Sequence, residues 1–264
     1  MESVVYGHPA HPKKVEDDGA IKKLFGEIET SMKFEHDGIR IRLKVGADEA
    51  KPDTTVLSPG TKLLGVLDLP TQPGLKWEYE VKITEDGKET IEPEVIENIS
   101  FKDDILVQKY SGSYVEDNQK REYKGEYVYS TKNGLELLSD KYEDGEVTNS
   151  KYSPAIKTFP KELCQGFRQM QVCKSEVNVK GEEGFDEWMA VDIKVLGLED
   201  VEIGETVYKD CYKIMVNDAS VATDGAFYSG MMTYWVHPKI GVVKYVSKNE
   251  FSESVSELKK FTTP

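Results

Sequence analysis

The chain has 264 residues, enough to bury a substantial core, and although 38% hydrophobic residues is below the usual globular share of about 45–50%, its 14 Tyr, 9 Phe and 3 Trp are too many for a disordered chain. Its 48 acids against 34 bases leave a net charge of −14, which repels nucleic acid and anionic membrane surfaces, both bound mainly through Lys and Arg. No apolar run approaches the roughly 20 residues of a transmembrane helix.

The opening residues, MESVVYGHPAHPKKVEDDG, lack the basic-then-apolar order of a signal peptide. That is expected of an intracellular chain or of one whose leader has been removed. Residues 1–30 read as an N-terminal arm containing one short amphipathic segment, Ala20 to Gly26, too short for a stable isolated helix. The first strand signal is SMKFEHDGIRIRLKV (31–45), where Asp37-Gly38 supplies a tight turn and Ile39, Ile41, Leu43 and Val45 alternate with charges. A polar loop (47–60) precedes a second apolar run, 62–69, closed by Pro70. Strand-like segments then follow in series, punctuated by Asp86-Gly87, Asn133-Gly134 and Asp144-Gly145, pairs that tolerate the left-handed backbone of two-residue hairpins. No long helical period intervenes. The fold expected is therefore mainly β, with antiparallel curved sheets of half-barrel or sandwich-like form and little helix.

The second half echoes the first. Leu69-Pro70 before Trp77 resembles Phe159-Pro160 before Phe167, Asp104 to Gln108 matches Asp210 to Ile214, and Tyr127 to Leu135 matches Tyr234 to Val242. Matches in one order at nearly one spacing point to an internal duplication. The division expected is an arm (1–30), a first β half (31–155) and a second (156–264).

Candidate chemistry is sparse. His8 and His11 each precede proline in the arm and read as a solvated tail; His36 adjoins a turn and His237 opens a loop. Three cysteines cannot all pair: Cys164 and Cys173 could bridge across a turn, and Cys211 reads as a small core residue. Their spacing does not fit zinc. Neither a G-x-S-x-G elbow nor a phosphate or dinucleotide glycine motif occurs, and acidic pairs such as Asp103-Asp104, Glu182-Glu183 and Glu199-Asp200 fit solvated turns. No catalytic residue, cofactor or metal is expected. Aromatic residues remain. Strand alternation in 77–80 and 123–129 puts Trp77 and Tyr79, and Tyr127 and Tyr129, on common faces, which with Tyr234 and Trp235 either fill a core or line a groove for a hydrophobic ligand.

The segment VEIGETVYKDCYKI (201–214), then YWVHPKIGVVKY (234–245) and the closing SELKKF (256–261), resembles uncharacterised bacterial secreted proteins and lipoproteins, whose domains read "F-K-D-C-x-K-V", "W-Y-A-P-G-V-G-L-V-K" and "E-L-x-x-Y". Leu69 to Val81 looks like their opening "P-L-x-x-G-x-x-W-x-Y-E". The chain departs from the pattern at His237 to Ile240, where the family has a small Pro-Gly turn. The resemblance implies a curved antiparallel sheet related to the lipoprotein-carrier half-barrels, in an extracellular or envelope setting; a cytoplasmic location stays open. It implies no catalytic residues.

The expected role is that of a non-catalytic exported β-protein acting by binding or assembly, as a surface, filament or envelope subunit. Copies would associate through the N-terminal arm or through sheet edges. The alternatives are a carrier of lipid or another hydrophobic ligand, and a hydrolase in which acids and His237 converge.

Overall fold

The computed structural model describes residues 30–36, 39–45, 54–85, 87–116, 119–222, 227–249 and 252–264. The arm, with His8, His11 and the Ala20 to Gly26 segment, and the turn pair Asp37-Gly38 lie outside the described residues. The strands are β1 (Thr30–His36), β2 (Ile39–Val45), β3 (Thr54–Ser58), β4 (Lys62–Val66), β5 (Lys76–Glu85), β6 (Lys88–Lys102), β7 (Ile105–Glu116), β8 (Gln119–Ser130) and β9 (Gly134–Glu143). They continue as β10 (Val147–Pro160), β11 (Glu162–Gln165), β12 (Arg168–Val179), β13 (Phe185–Ile203), β14 (Thr206–Ala222), β15 (Phe227–His237), β16 (Gly241–Asn249) and β17 (Ser252–Thr262). All are antiparallel to their neighbours, as the turn punctuation and period-two patterning require.

From β5 to β10 each strand pairs with the next, and so does each from β12 to β17. Two further ladders join these six-strand runs, β17 with β5 and β10 with β12, so the sheet closes into a barrel of twelve strands. Both runs therefore share one sheet. The mainly antiparallel β architecture agrees with the sequence, but the sheet is a closed barrel where a half-barrel or sandwich was expected. The reason is the seam between β10 and β12, a pairing between strands distant from any hairpin signal. Asp104, in the turn before β7, and Asp210, within β14, both have positive φ, and Gly134 and Gly241 begin β9 and β16 with positive φ.

The seam is only half closed by backbone. β10 pairs β12 from Thr148 to Ser153, after which Pro154, lacking an N–H, interrupts the ladder. There Gln171 substitutes for the missing strand contact: its side-chain carbonyl accepts from Lys157 N at 2.9 Å and its amide donates to the Ala155 carbonyl. The freed edge of β12, Arg168 to Gln171, is covered by β3.

Turns at 103–104, 131–133 and 238–240 define one end of the barrel. A two-stranded ribbon, β4 with β11, packs there: Leu163 is fully buried, and Leu64, Leu67 and Leu69 join Leu106, Leu135, Phe159, Ile193, Ile214 and Val236 in one apolar cluster. The approach is close enough that Gly65 lies directly under the Tyr212 hydroxyl, where a Cβ would collide. The long β13–β14 hairpin projects at this same end, packing Val201, Ile203 and Cys211 against Trp77, Val243 and Leu258. We call it the closed end.

The outer wall is charged. Rungs such as Lys82–Glu89, Lys124–Glu143, Lys259–Glu80 and Lys174–Asp186 cross it at 2.5, 3.0, 2.9 and 2.8 Å. No helix is long and apolar enough to cross a membrane among the described residues. Barrels that cross with strands present an apolar band about 25 Å tall to lipid, whereas this outer wall carries ion pairs.

Candidate functional site in the barrel interior

Eight strands make a barrel just wide enough for side chains to fill, and twelve leave more room. The surplus here is a cavity of ≈ 280 Å³. Large aromatic side chains take up most of the remaining width: nine tyrosines line the cavity, together with Trp77, Phe159 and aliphatic residues from both runs. Cross-strand glycines make space for the rings. Gly125 sits opposite Tyr110 and Gly112 opposite Tyr123, and a Cβ on either glycine would strike the facing ring. Tyr110 stacks on Tyr127 with ring centroids 4.3 Å apart, and Tyr123 stacks on Tyr142 at 6.1 Å.

Polarity changes along the barrel axis. Towards the closed end the wall is Leu106, Leu137, Phe159, Val191 and Val242. Farther along the strands it becomes Tyr110, Tyr123, Tyr142, Ser247 and Ser254, with two carboxylates, Glu94 on β6 and Asp218 on β14. Glu94 accepts hydrogen bonds from the Tyr245 hydroxyl at 2.8 and 2.9 Å and from Tyr123 at 3.0 Å. Asp218 Oδ1 is buried with no hydrogen-bond partner among the described residues. Asp140 lies behind the lining, accepting from the Tyr152 hydroxyl at 2.9 Å.

Desolvation dominates the titration of this region. It raises Glu94 above the ordinary carboxylate range despite the two tyrosine hydrogen bonds that favour ionisation. It pushes Asp218 up to about 7, with Glu187 adding repulsion, and Asp140 to about 8 against an opposing hydrogen bond from Ser150. The tyrosines around them move up for the same reason, so they stay neutral hydroxyl donors. Glu187 acts on both Asp140 and Asp218, while Tyr234 feels both Asp218 and Glu94, which places these acids in one electrostatic unit. The single basic residue on the described lining, Lys157, directs its ammonium to Glu136 at 3.7 Å.

Of the six aromatic residues the sequence nominated, Trp77, Tyr79, Tyr127, Tyr129 and Tyr234 line the cavity. Trp77 and Tyr79 are anchored by hydrogen bonds to the Ile240 and Val242 carbonyls, at 2.6 and 2.8 Å. Trp235 does not belong with them. Adjacent residues of a strand point to opposite faces, so with Tyr234 inside, Trp235 stands outside, 5.0 Å from Lys213 Nζ and 6.0 Å from Lys244 Nζ.

The other candidates are dispersed. His237 accepts from Lys239 N at 3.2 Å and meets the Tyr208 ring edge-on at 6.1 Å, apart from the cavity lining. Burial lowers its pKa. Asp103 and Asp104 form a tight turn, Glu182 and Glu183 are exposed, and Glu199 pairs with Lys213 at 2.7 Å. All three cysteines are free, so no bridge joins Cys164 to Cys173; Cys173 and Cys211 are fully buried, which raises their thiols to about 12 and about 11. Among the described residues no group of acids, histidines and cysteines has the arrangement of a metal site.

Sequence reasoning missed Glu94, Asp218 and the tyrosines at 110, 142, 152 and 245. In β6 the apolar residues Ile91 and Ile99 face outward, while Glu92, Glu94, Ile96 and Asn98 share the inward parity. The signal was present in the regular spacing of Tyr110 and Tyr114 on β7 and Tyr123 and Tyr127 on β8, whose rings meet diagonally across the two strands.

No family model matches the chain, and no curated protein matches it. Among solved structures it is similar to a candidate exported protein with a YmcC-like fold from Bacteroides fragilis NCTC 9343, at 14% identity and a TM-score of 0.44, over 75% of this chain and 100% of that one. It is also similar to a candidate lipoprotein from Parabacteroides distasonis ATCC 8503, at 12% identity and a TM-score of 0.37, over 76% and 99%. At these values the likeness carries no function across.

Proposed function

We propose that this protein is a non-catalytic binding barrel that carries one small hydrophobic or amphipathic molecule in its interior. The observation that supports this reading is the ≈ 280 Å³ cavity, walled by aromatic and aliphatic side chains with a few convergent polar groups. That composition and a size near the lower end of about 300–1,000 Å³ are usual for small-molecule sites. Carriage is favoured over assembly by strand addition, because closure of the barrel pairs both edges of nearly every long strand and leaves few free. Export is part of the proposal and rests on the resemblance of the 201–214 and 234–245 segments to secreted proteins and lipoproteins. The two six-strand runs fit an origin by duplication. A hydrolase built on His237 finds no support in a ring turned towards Tyr208.

The neutral fluorophore N-phenyl-1-naphthylamine tests the cavity. It should bind the purified protein with micromolar affinity and strong emission, and Ser247→Trp, which fills the cavity from its wall, should abolish this with the far-ultraviolet dichroism unchanged. Equal binding by the variant would refute the interior as the site.

A further inference from the structure

Taking the interior as the binding site, we propose that its ligand is amphipathic with a cationic head, an alkyl or aryl ammonium whose apolar body points to the closed end and whose charge sits between Glu94 and Asp218. This deepens the carrier reading and depends on it.

The charge asymmetry of the wall carries the inference. Two carboxylates line the cavity, and the only lysine on the described lining has its ammonium at Glu136. An anionic head would therefore meet repulsion with nothing to offset it. A neutral hydroxylated head could donate to the unpartnered Asp218 Oδ1, but it would bring no charge to set against the two carboxylates. A buried carboxyl oxygen lacking a partner is costly, and such costs persist where a ligand or mechanism uses the group. A cation relieves both acids.

The tyrosines suit the same head group. Ring faces attract cations within about 6 Å of the centroid, and quaternary ammonium ligands are held by aromatic cages of this kind. Tyr127, Tyr234 and Tyr245 line the cavity and are each electrostatically coupled to Glu94. Glu94 is itself held in place by hydrogen bonds from Tyr123 and Tyr245, so its position is set before a ligand arrives. Beyond them the wall turns aliphatic at Leu106, Leu137 and Val191, which gives the hydrocarbon part a direction.

Three probes with one tail separate the possibilities: decyltrimethylammonium, decanol and decyl sulfate, each titrated calorimetrically below its micellar concentration at low salt. The cation should bind at least tenfold more tightly than decanol, and decyl sulfate weakest. Asp218→Asn and Glu94→Gln should each remove most of that preference, read as the ratio of cation to decanol affinity within each variant. If decanol and the cation bind equally, the head-group inference is wrong while the carrier reading stands. If the cation preference survives both substitutions, the charge is read elsewhere and the inference falls. If none of the three binds, both readings fall.

Discussion

The two ends of the barrel are built on different principles. At the closed end the interior is filled: Leu163, Ile193, Ile214 and Val236 are fully buried, and the β4–β11 ribbon adds a layer of leucine that the barrel strands alone do not supply. Farther along, the same strands hold tyrosines over cross-strand glycines, two lining carboxylates and a void. A wide barrel cannot be packed throughout by side chains attached to its wall, so a chain of this kind concentrates close packing at one end. The other end is then free to carry polar groups. Stability belongs chiefly to the first region and recognition to the second.

That division predicts unequal responses to substitution. Leu163→Ala at the closed end removes a fully buried side chain from a region with little room to collapse, and should cost about 3 kcal/mol. Urea unfolding would show it as a lowered midpoint. A loss near zero would mean that the ribbon is an ornament and that the barrel closes without it.

The carboxylate region should respond to pH with the opposite sign to an ion-paired surface. Asp218 and Asp140 titrate near 7 and 8 in the fold but near 3.8 when unfolded. Between these limits the folded chain holds protons that the unfolded chain has released, so stability is fully present below about pH 4 and declines as pH rises through 7 to 8. The groups facing Asp218 are Glu187 from β13 and Tyr152, Tyr228 and Tyr234 from β10 and β15, none of which is cationic. Asp218→Asn should flatten the decline, making the variant more stable than the parent at pH 8 by on the order of 2 kcal/mol. Urea midpoints at pH 5 and pH 8 measure it; parallel profiles for the two proteins would place the raised titration elsewhere.

The sequence made the wall legible but not the interior. Period-two alternation and Gly turns revealed most of the antiparallel strands, because a pleated backbone imposes that pattern locally. Closure was hidden, since β10 meets β12 through a ladder that no turn announces and through the side chain of Gln171. Glu94 was hidden for a different reason. In a strand with Ile91 and Ile99 on one face and Glu92 and Glu94 on the other, hydrophobicity assigns the wrong face to the core. Only the partner rungs decide it: Trp77 faces Ile96 and Tyr79 faces Glu94, both inward.

The smallest expected effect is the sharpest test of which residues face the interior. The chain has three tryptophans: Trp77 lines the cavity, Trp188 lies on β13 beside Lys174 in register, and Trp235 lies outside between two lysines. A ligand in the barrel therefore perturbs the emission of Trp77 alone. Titrating decanol should change tryptophan fluorescence in the parent and in Trp235→Phe to the same extent, with affinities within about twofold, since outward cation–π contacts of this kind are worth only about 0.5–1 kcal/mol to stability and nothing to the cavity. In Trp77→Phe the fluorescence response should vanish while calorimetry still reports binding. Loss of affinity in Trp235→Phe would put the ligand on the outer wall, where Lys213 and Lys244 would select an anion, and would reverse the contrast between the two faces of β15.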